Sequence, residues 1–547
     1  MWSEDSAHSR NSTGESQRWF WGWIWLLMAA VFLGSSCIPA PIQPTSTPLP
    51  TLTARATPSS AVDPPVLSLE TVDPRLHVFP GPEHYTGELL TFEIDVGERV
   101  PSTESPVTLQ LDDQPTYQVT GMWEWHFLRF PFDTTGLVGK HELSIQAAHH
   151  GVEVDELYRF EVHPASQRPE QEQDPAWTSR EIDCCILHFI TGTAASRDLD
   201  QIARAAQQGA DDFQRYPTVN IDEKIDVYFI DRMWFNGAFA AGDDLLISYT
   251  DRYYGPSRGE EGLQVLVRHE LGHAVFPSFT YGEGLSVYLA GGHYKFEPLP
   301  RRAAAMLALD YYSAEDGPDD QHEIIYLHQA AVVQYMVETY GWAALREFID
   351  LDRRGRNERG GNSSEAFQQA LGISRDAFQD DFMDWLRSLE PGQQVQDLEL
   401  TVELQNLRRA YQERYAPFPW FLLGPADEFT GPDLIHVNIR EPRTPAHMAA
   451  ELMIANAQQA LYEGEYHKAQ ELIHVINGIV SSGHLDAPLA REYGDVVRIL
   501  DRQGYEVLAL DLNGREARVE VSAAPPDVET LLLQKEDGRW RITDPRD

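Results

Sequence analysis

The chain has 547 residues, too many for one ordinary hydrophobic core, so several domains are expected. Its 42% apolar content is enough to pack them, while a formal net charge of -42 leaves no basic excess to displace counterions from a nucleic acid or to hold an acidic membrane face. Three cysteines are too few for a disulfide framework.

Residues 19–36 read WFWGWIWLLMAAVFLGSS, an uncharged, tryptophan-rich run preceded by Arg10 and Arg18, which is the pattern of an export signal. Its length also approaches the roughly 20 residues of a membrane-crossing helix. LGSSC ending at Cys37 resembles a bacterial lipoprotein signal in which Cys37 is the lipidated first residue of the mature protein. It departs from that pattern in that Leu33 stands four residues before the cysteine instead of three. A lipidated Cys37 and an uncleaved anchor in segment 1–37 both stay open. Either leaves the rest of the chain on the extracytoplasmic face of a bacterial cell membrane, with the Pro/Thr-rich stretch 38–75 as an extended linker.

Between residues 76 and 165, LLTFEIDV, VTLQLDD, WEWHFLRFPF, HELSIQAA and LYRFEVHP alternate with Gly, Pro and Asp clusters. This spacing predicts a small antiparallel β-sandwich of immunoglobulin-like type. GMWEWHFLRF reads as sandwich core, with an aromatic binding strip as the alternative, and RPEQEQD at 168–174 as a linker.

A second domain is expected over 178–390. CCILHFI at 184–190, IDVYFI at 225–230 and DLLISYT at 244–250 are strand candidates, and residues 198–216 have helical periodicity. Cys184 and Cys185, adjacent on a strand, are expected to point to opposite faces as small buried hydrophobes, the alternative being a redox or metal role. Helices are expected at 259–277, 283–289, 301–311, 323–340, 342–350, 363–371 and 375–389, an α+β pattern. Over 395–547 the reading is a helix at 398–415, a turn or packing insert in PFPWFLLGP, and a helical hairpin at 447–480 that resembles one tetratricopeptide unit. A small antiparallel sheet with Asn-Gly and Asp-Gly turns ends the chain.

The segment GEEGLQVLVRHELGHAVFP carries the chemistry. Leu263, Leu266, Val267, Leu271, Ala274 and Val275 form an apolar helical stripe, Glu260 and Glu261 suit the positive N-terminus, and Pro277 stops the helix. His269 and His273 are four apart on one face, so both imidazoles can meet one ion, and Glu270 can reach a water beside it. With 19 histidines in an acidic chain an HExxH by itself is weak, and context must support it. A catalytic zinc site needs a third ligand, and Glu283 in SFTYGEGLSVYLAGG is the best supplier, because AVFPSFTYG can reverse the chain and set Glu283 in the first turn of a facing helix. Glu283 as a simple helix cap is the alternative.

HELGHAV followed by GEGLSVY resembles the gluzincin superfamily of zinc metallopeptidases, which includes thermolysin and aminopeptidase N. The likeness covers about residues 182–389, with a loop as short as in compact peptidase domains of bacterial surface proteins. The resemblance implies a zincin-like fold for the central domain, Zn2+ held by His269, His273 and Glu283, and Glu270 as general base. It further matches Tyr326, in IIYLHQAAVVQYMVETYGWAALREFI, to the tyrosine that hydrogen-bonds the developing oxyanion. A core tyrosine is the bland alternative, and His322 or His328 are understudies.

The aminopeptidase segment Gly-Ala-Met-Glu-Asn, whose acid reads a free amino terminus, is replaced here by Gly237-Ala238-Phe239-Ala240-Ala241, with Asp243 or Asp244 as the nearest acids. The expected activity is therefore zinc-dependent hydrolysis of extracytoplasmic peptides or proteins. Endopeptidase action leads, exopeptidase action stays open, and DLLISYT is the expected strand for aligning an extended peptide. The rivals are a catalytically inactive zinc-containing surface binding lipoprotein and a tethered scaffold without metal. Neither nucleic acid nor a defined oligomer is implied.

Overall fold

The computed structural model describes residues 66–81, 83–168, 176–216, 221, 223–230, 238–241, 244–250, 252, 259–276, 279–293, 295–313, 317–318, 322–357, 363–417, 443–523 and 527–543. The signal or anchor segment, Cys37, nearly all of the Pro/Thr-rich stretch, Pro277, Asp243 and all but the first residue of PFPWFLLGP lie outside them. No helix among the described residues is long and apolar enough to cross a membrane.

Alternating apolar residues build the first sheet from β1 (Leu76–Phe79), β2 (His84–Tyr85), β3 (Leu89–Leu111), β4 (Tyr117–Asp133), β5 (Gly139–His149) and β6 (Val152–His163). The two runs LLTFEIDV and VTLQLDD prove to be one long strand. β3 bends through register breaks between Asp95 and Thr103, where Gly97 and Pro101 read as a turn, yet β4 follows it on both sides of the bend. β1 and β5 pair with the two halves of β3, and β2 joins β6 in parallel, so the sheet is not wholly antiparallel. Inward side chains such as Phe92, Leu109, Trp123, Phe130 and Ile145 meet in one core. Of the GMWEWHFLRF segment, Trp123, Leu128 and Phe130 are buried in that core, whereas Met122, Trp125, His126 and Phe127 are partly exposed.

The central sheet comprises β7 (Trp177–Glu181), β8 (Cys185–Ile190), β9 (Ile225–Ile230), β10 (Ala238–Ala241) and β11 (Asp244–Ser248), in the order β10-β11-β9-β8-β7. Three strands are parallel and both edges are antiparallel. β11 is thus interior. The edge belongs to β10, whose Ala-rich sequence lacks the branched side chains that announce a strand, so the expectation that DLLISYT offers an edge fails. Cys184 and Cys185 are joined in a disulfide, contrary to the expectation of opposite faces. Strand alternation does not apply to them, because Cys184 stands in the bend before β8 begins.

Helices α1 (Ala194–Arg197) and α2 (Leu199–Phe213) follow β8. After β11 come α3 (Gly259–Val275), α4 (Gly282–Ala290) and α5 (Leu299–Ala308), a minimal ribbon of β12 (Tyr312–Ser313) and β13 (Gly317–Pro318), then α6 (His322–Asn357), α7 (Ser363–Ala366) and α8 (Arg375–Ser388). α6 is two helical runs that meet at Gly341, whose φ of 83° is readily adopted only by glycine. The central core gathers α2, α3, α4 and α6 over the sheet, as in Ile202, Val227, Leu271, Leu285 and Val333.

The remaining elements are α9 (Gln394–Tyr415), α10 (Pro445–Glu463), α11 (Tyr466–Ser482), α12 (Pro488–Asp501) and the antiparallel meander β14 (Glu506–Asn513), β15 (Glu516–Ser522), β16 (Glu529–Glu536) and β17 (Arg539–Thr543). α12 completes a core that the hairpin alone would lack, with Ala490, Val496, Val497 and Leu500 packed beside Leu452, Ile476 and Val519. The segment around Leu69 lies on the same body, its N–H donating to the Gly483 carbonyl at 2.7 Å. α9 serves two cores: Leu398 and Val402 belong to the central one, Leu404 and Tyr411 to the C-terminal one. Buried Arg252 adds an ionic tie, at 2.9 Å from Glu451 and 2.8 Å from Glu506. The chain is therefore multidomain in its cores, with mixed α/β content and a separate small antiparallel sheet near its C-terminus.

Candidate metal centre

α3 buries Leu263, Val267 and Leu271 against the sheet and α2, which leaves His269 and His273 together on the side facing α4. Two glycines set how near that neighbour comes. A Cβ on Gly272 would stand 2.5 Å from Ser286 Oγ and 2.9 Å from Ser286 Cα, so α3 and α4 touch backbone to backbone. A Cβ on Gly284 would stand 2.2 Å from the Gln329 carbonyl carbon, which seats α4 equally tightly on α6. Three hydrogen bonds then fix the start of α4. Thr280 donates its N–H and its hydroxyl to Asp352, both at 2.8 Å, and the Gly284 N–H donates to Gln329 Oε1 at 3.2 Å.

This frame turns the Glu283 carboxylate toward the two rings rather than leaving it to cap its own helix. Nε2 of His269 and Nε2 of His273 are 3.2 Å apart, and Glu283 Oε2 lies 3.4 Å from the first and 3.1 Å from the second. Three ligands at about 2.0–2.1 Å from a tetrahedral zinc ion stand roughly 3.3 Å from one another, so these donors occupy one face of such a tetrahedron. They are the only His/Cys/Asp/Glu group among the described residues placed to share an ion. An N,N,O donor set of this kind suits zinc, and the 38% exposure of the Glu283 side chain leaves solvent access to the site.

Two imidazole nitrogens in contact need a cation or a proton between them, and the electrostatics show which ring takes a proton in the absence of metal. Burial pulls the His273 pKa down, but the hydrogen bond and charge of Glu283, with the charge of Glu270, overcome it and leave it raised to about 9. Burial, helped by the charges of His273 and His293, lowers His269 to about 4 against the pull of Glu283. Burial would raise Glu283, yet its two histidine partners hold it well below the usual carboxylate range. Glu270 is 3% exposed, and burial with the neighbouring Glu283 charge pushes it up to about 8 despite His273. Its Oε2 has no hydrogen-bond partner among the described residues, nor does His269 Nδ1. A buried carboxylate oxygen without a partner is costly unless it faces something the protein binds.

α6 supplies the far wall. The ring of Tyr326 approaches that of His269, at 6.2 Å between centres. His328 does not: its ring packs on Phe382 of α8, and burial lowers its pKa to about 4. The side chain of His322 is outside the described residues. A further group arrives without any motif to announce it. His293, just after α4, has its ring 5.7 Å from that of His269 and edge-on to Tyr326 at 4.5 Å, with Nδ1 bonded to buried Glu323 at 2.6 Å. Its sequence signal was only a histidine close behind the Gly291-Gly292 helix end.

No protein-family model matches this chain, and no curated protein matches it.

Proposed function

We propose that the chain is a zinc-dependent peptidase of gluzincin type, hydrolysing peptide bonds in extracytoplasmic peptides or proteins. The observation that carries this reading is the tetrahedral-face spacing of His269, His273 and Glu283 beside a buried Glu270 oxygen that no described residue satisfies. A purely structural metal site needs no such carboxylate, so the spare oxygen favours hydrolysis over an inactive binding module.

A bound zinc ion supplies Lewis acidity, activating a water and polarising the scissile carbonyl. Within that setting Glu270 accepts the proton of the attacking water and hands it to the departing amine. Burial suits it to this work, because a carboxylate shielded from bulk water is a stronger proton acceptor than a solvated one. Tyr326, placed beside His269, donates its phenolic hydrogen to the oxyanion as charge develops there. β10, the antiparallel edge strand that contacts α3, can receive an extended substrate by backbone pairing. No acid stands within Gly237-Ala238-Phe239-Ala240-Ala241, which favours endopeptidase action. Residues 1–37 are proposed to export the chain and hold it at a bacterial membrane, through lipidated Cys37 or the apolar run 19–36.

The test is digestion of a mixed peptide library by purified protein, with and without a chelator. Chelator-sensitive internal cleavage is expected, restored by added zinc. Zinc-loaded protein that leaves the library intact contradicts the proposal.

A further inference from the structure

The His293–Glu323 pair is not isolated. Behind Glu323 lies Arg302 of α5, its side chain 1% exposed, with Nη2 at 3.4 Å from Glu323 Oε1. The same guanidinium makes a short bond through Nη1 to Asp397 of α9. Lys295, two residues after His293, places Nζ at 2.6 Å from the other oxygen of Asp397 and at 2.9 Å from the Leu461 carbonyl of α10. Tyr466 of α11 donates its hydroxyl to that same oxygen at 3.0 Å. Asp397 stands at the start of α9, next to residues that pack in the central core, and its two oxygens hold one cation that reaches Glu323 and another that reaches α10.

We propose that the C-terminal helices are a working part of the candidate active site: Asp397, held by Tyr466, fixes Arg302 and Lys295, which fix Glu323 and the loop carrying His293, and His293 in turn sets the ring of Tyr326. Asp397, Arg302 and Glu323 are positioning residues in this chain, since none touches the three metal donors. The arrangement explains why a cluster of charges is kept in a place where apolar packing would hold two bodies together at less cost. Charged partners with fixed geometry orient what they hold, which apolar contacts do not. A ring edge-on to Tyr326 at 4.5 Å transmits a shift of His293 directly to the phenol. A displacement of a transition-state donor by about 1 Å is enough to cost rate on the order of 100-fold.

This inference rests on the peptidase reading for its kinetic consequence and on the packing around Asp397 alone for its structural one, so two readouts are needed. With full-length zinc-loaded protein, Asp397→Asn and the gentler Tyr466→Phe are expected to lower kcat by about 10-fold or more and by a smaller factor respectively, with KM and zinc content unchanged. In a Tyr326→Phe background both losses should vanish, because the phenol they act through is gone. Loss of the same size in that background overturns the relay, as does wild-type kcat in Asp397→Asn. Independently of hydrolysis, the 15N resonances of His293, identified by their absence in His293→Ala, are expected to shift in Asp397→Asn and in Tyr466→Phe. Unshifted resonances in both variants overturn the relay even if the protein cleaves nothing, and a shift supports it even then. An inert wild type with shifted resonances sinks the peptidase reading alone.

Discussion

Replacing Gly272 by alanine adds a single methyl group where α3 and α4 touch backbone to backbone. The new Cβ would lie 2.9 Å from Ser286 Cα and 3.0 Å from its Cβ, whereas carbon atoms in comfortable contact stand about 3.5–4.0 Å apart. The Ser286 hydroxyl can rotate away, but its Cα belongs to the α4 backbone, so α3 and α4 must separate by roughly 0.5–1 Å at that point. Ligand positions in a zinc site tolerate about 0.2 Å. Glu283 and the histidines, now 3.1 and 3.4 Å apart, would be pulled off the tetrahedral face, and zinc affinity should fall about 10- to 100-fold. Stability responds less. Overpacking costs about 1–3 kcal/mol, and the gain in helix propensity of alanine over glycine returns about 1 kcal/mol, for a net loss of about 0–2 kcal/mol. Gly478 in α11 is the control, since nothing lies within 4 Å of its added Cβ and its alanine variant should be stabilised by up to about 1 kcal/mol. Competition against a zinc-chelating dye and urea unfolding of metal-free protein measure the two quantities. Zinc affinity in Gly272→Ala within a factor of about three of wild type would refute the claim that this close approach builds the site.

Glu270→Gln keeps the size of the side chain and should retain zinc while kcat drops on the order of 1,000-fold; residual activity near wild type would remove Glu270 from the chemistry. Tyr326→Phe should lower kcat about 100-fold with KM little changed, and an unchanged kcat would leave Tyr326 as wall material only. Metal binding should release protons. In the metal-free protein the His273 pKa is raised above its ordinary 6.5 to about 9, so the bonding of His273 to Glu283 stabilises the fold fully below 6.5 and fades as pH rises through about 9. Zinc needs the deprotonated ring, so its affinity should climb with pH up to about 9. Calorimetry at pH 7 in buffers of different ionisation enthalpy should therefore show proton release, and buffer-independent heats would contradict the site's electrostatics.

The parts of this site that repeat at helical spacing were readable from the residues. His269 and His273 follow from an i, i+4 pair on an amphipathic stripe, Glu283 from its place just inside the next helix, and Tyr326 from a resemblance in the helix beyond. The C-terminal meander was equally plain, because Asn513-Gly514 and Asp537-Gly538 mark its turns. What stayed hidden depends on contacts between distant segments. Nothing local says that Gly272 faces Ser286 or that Gly284 faces Gln329, since a glycine inside a helix reads as a weak helix former until a neighbour's backbone is known. His293 has no periodic company, and its partner Glu323 lies 30 residues on. Asp397, 95 residues from Arg302, reads as an ordinary surface acid of α9 until the two bodies are packed together. The misplaced sheet edge has a similar origin: DLLISYT is the better strand by composition, but topology, not composition, decides which strand is outermost.

Zinc content bears most directly on the central claim. Protein purified without added metal and analysed by mass spectrometry of the elements should carry one zinc per wild-type chain, close to none in His273→Ala or Glu283→Ala, and one in Glu270→Gln. A wild type that neither contains zinc nor takes it up, or a Glu283→Ala variant that holds it as firmly as wild type, would contradict the site described here.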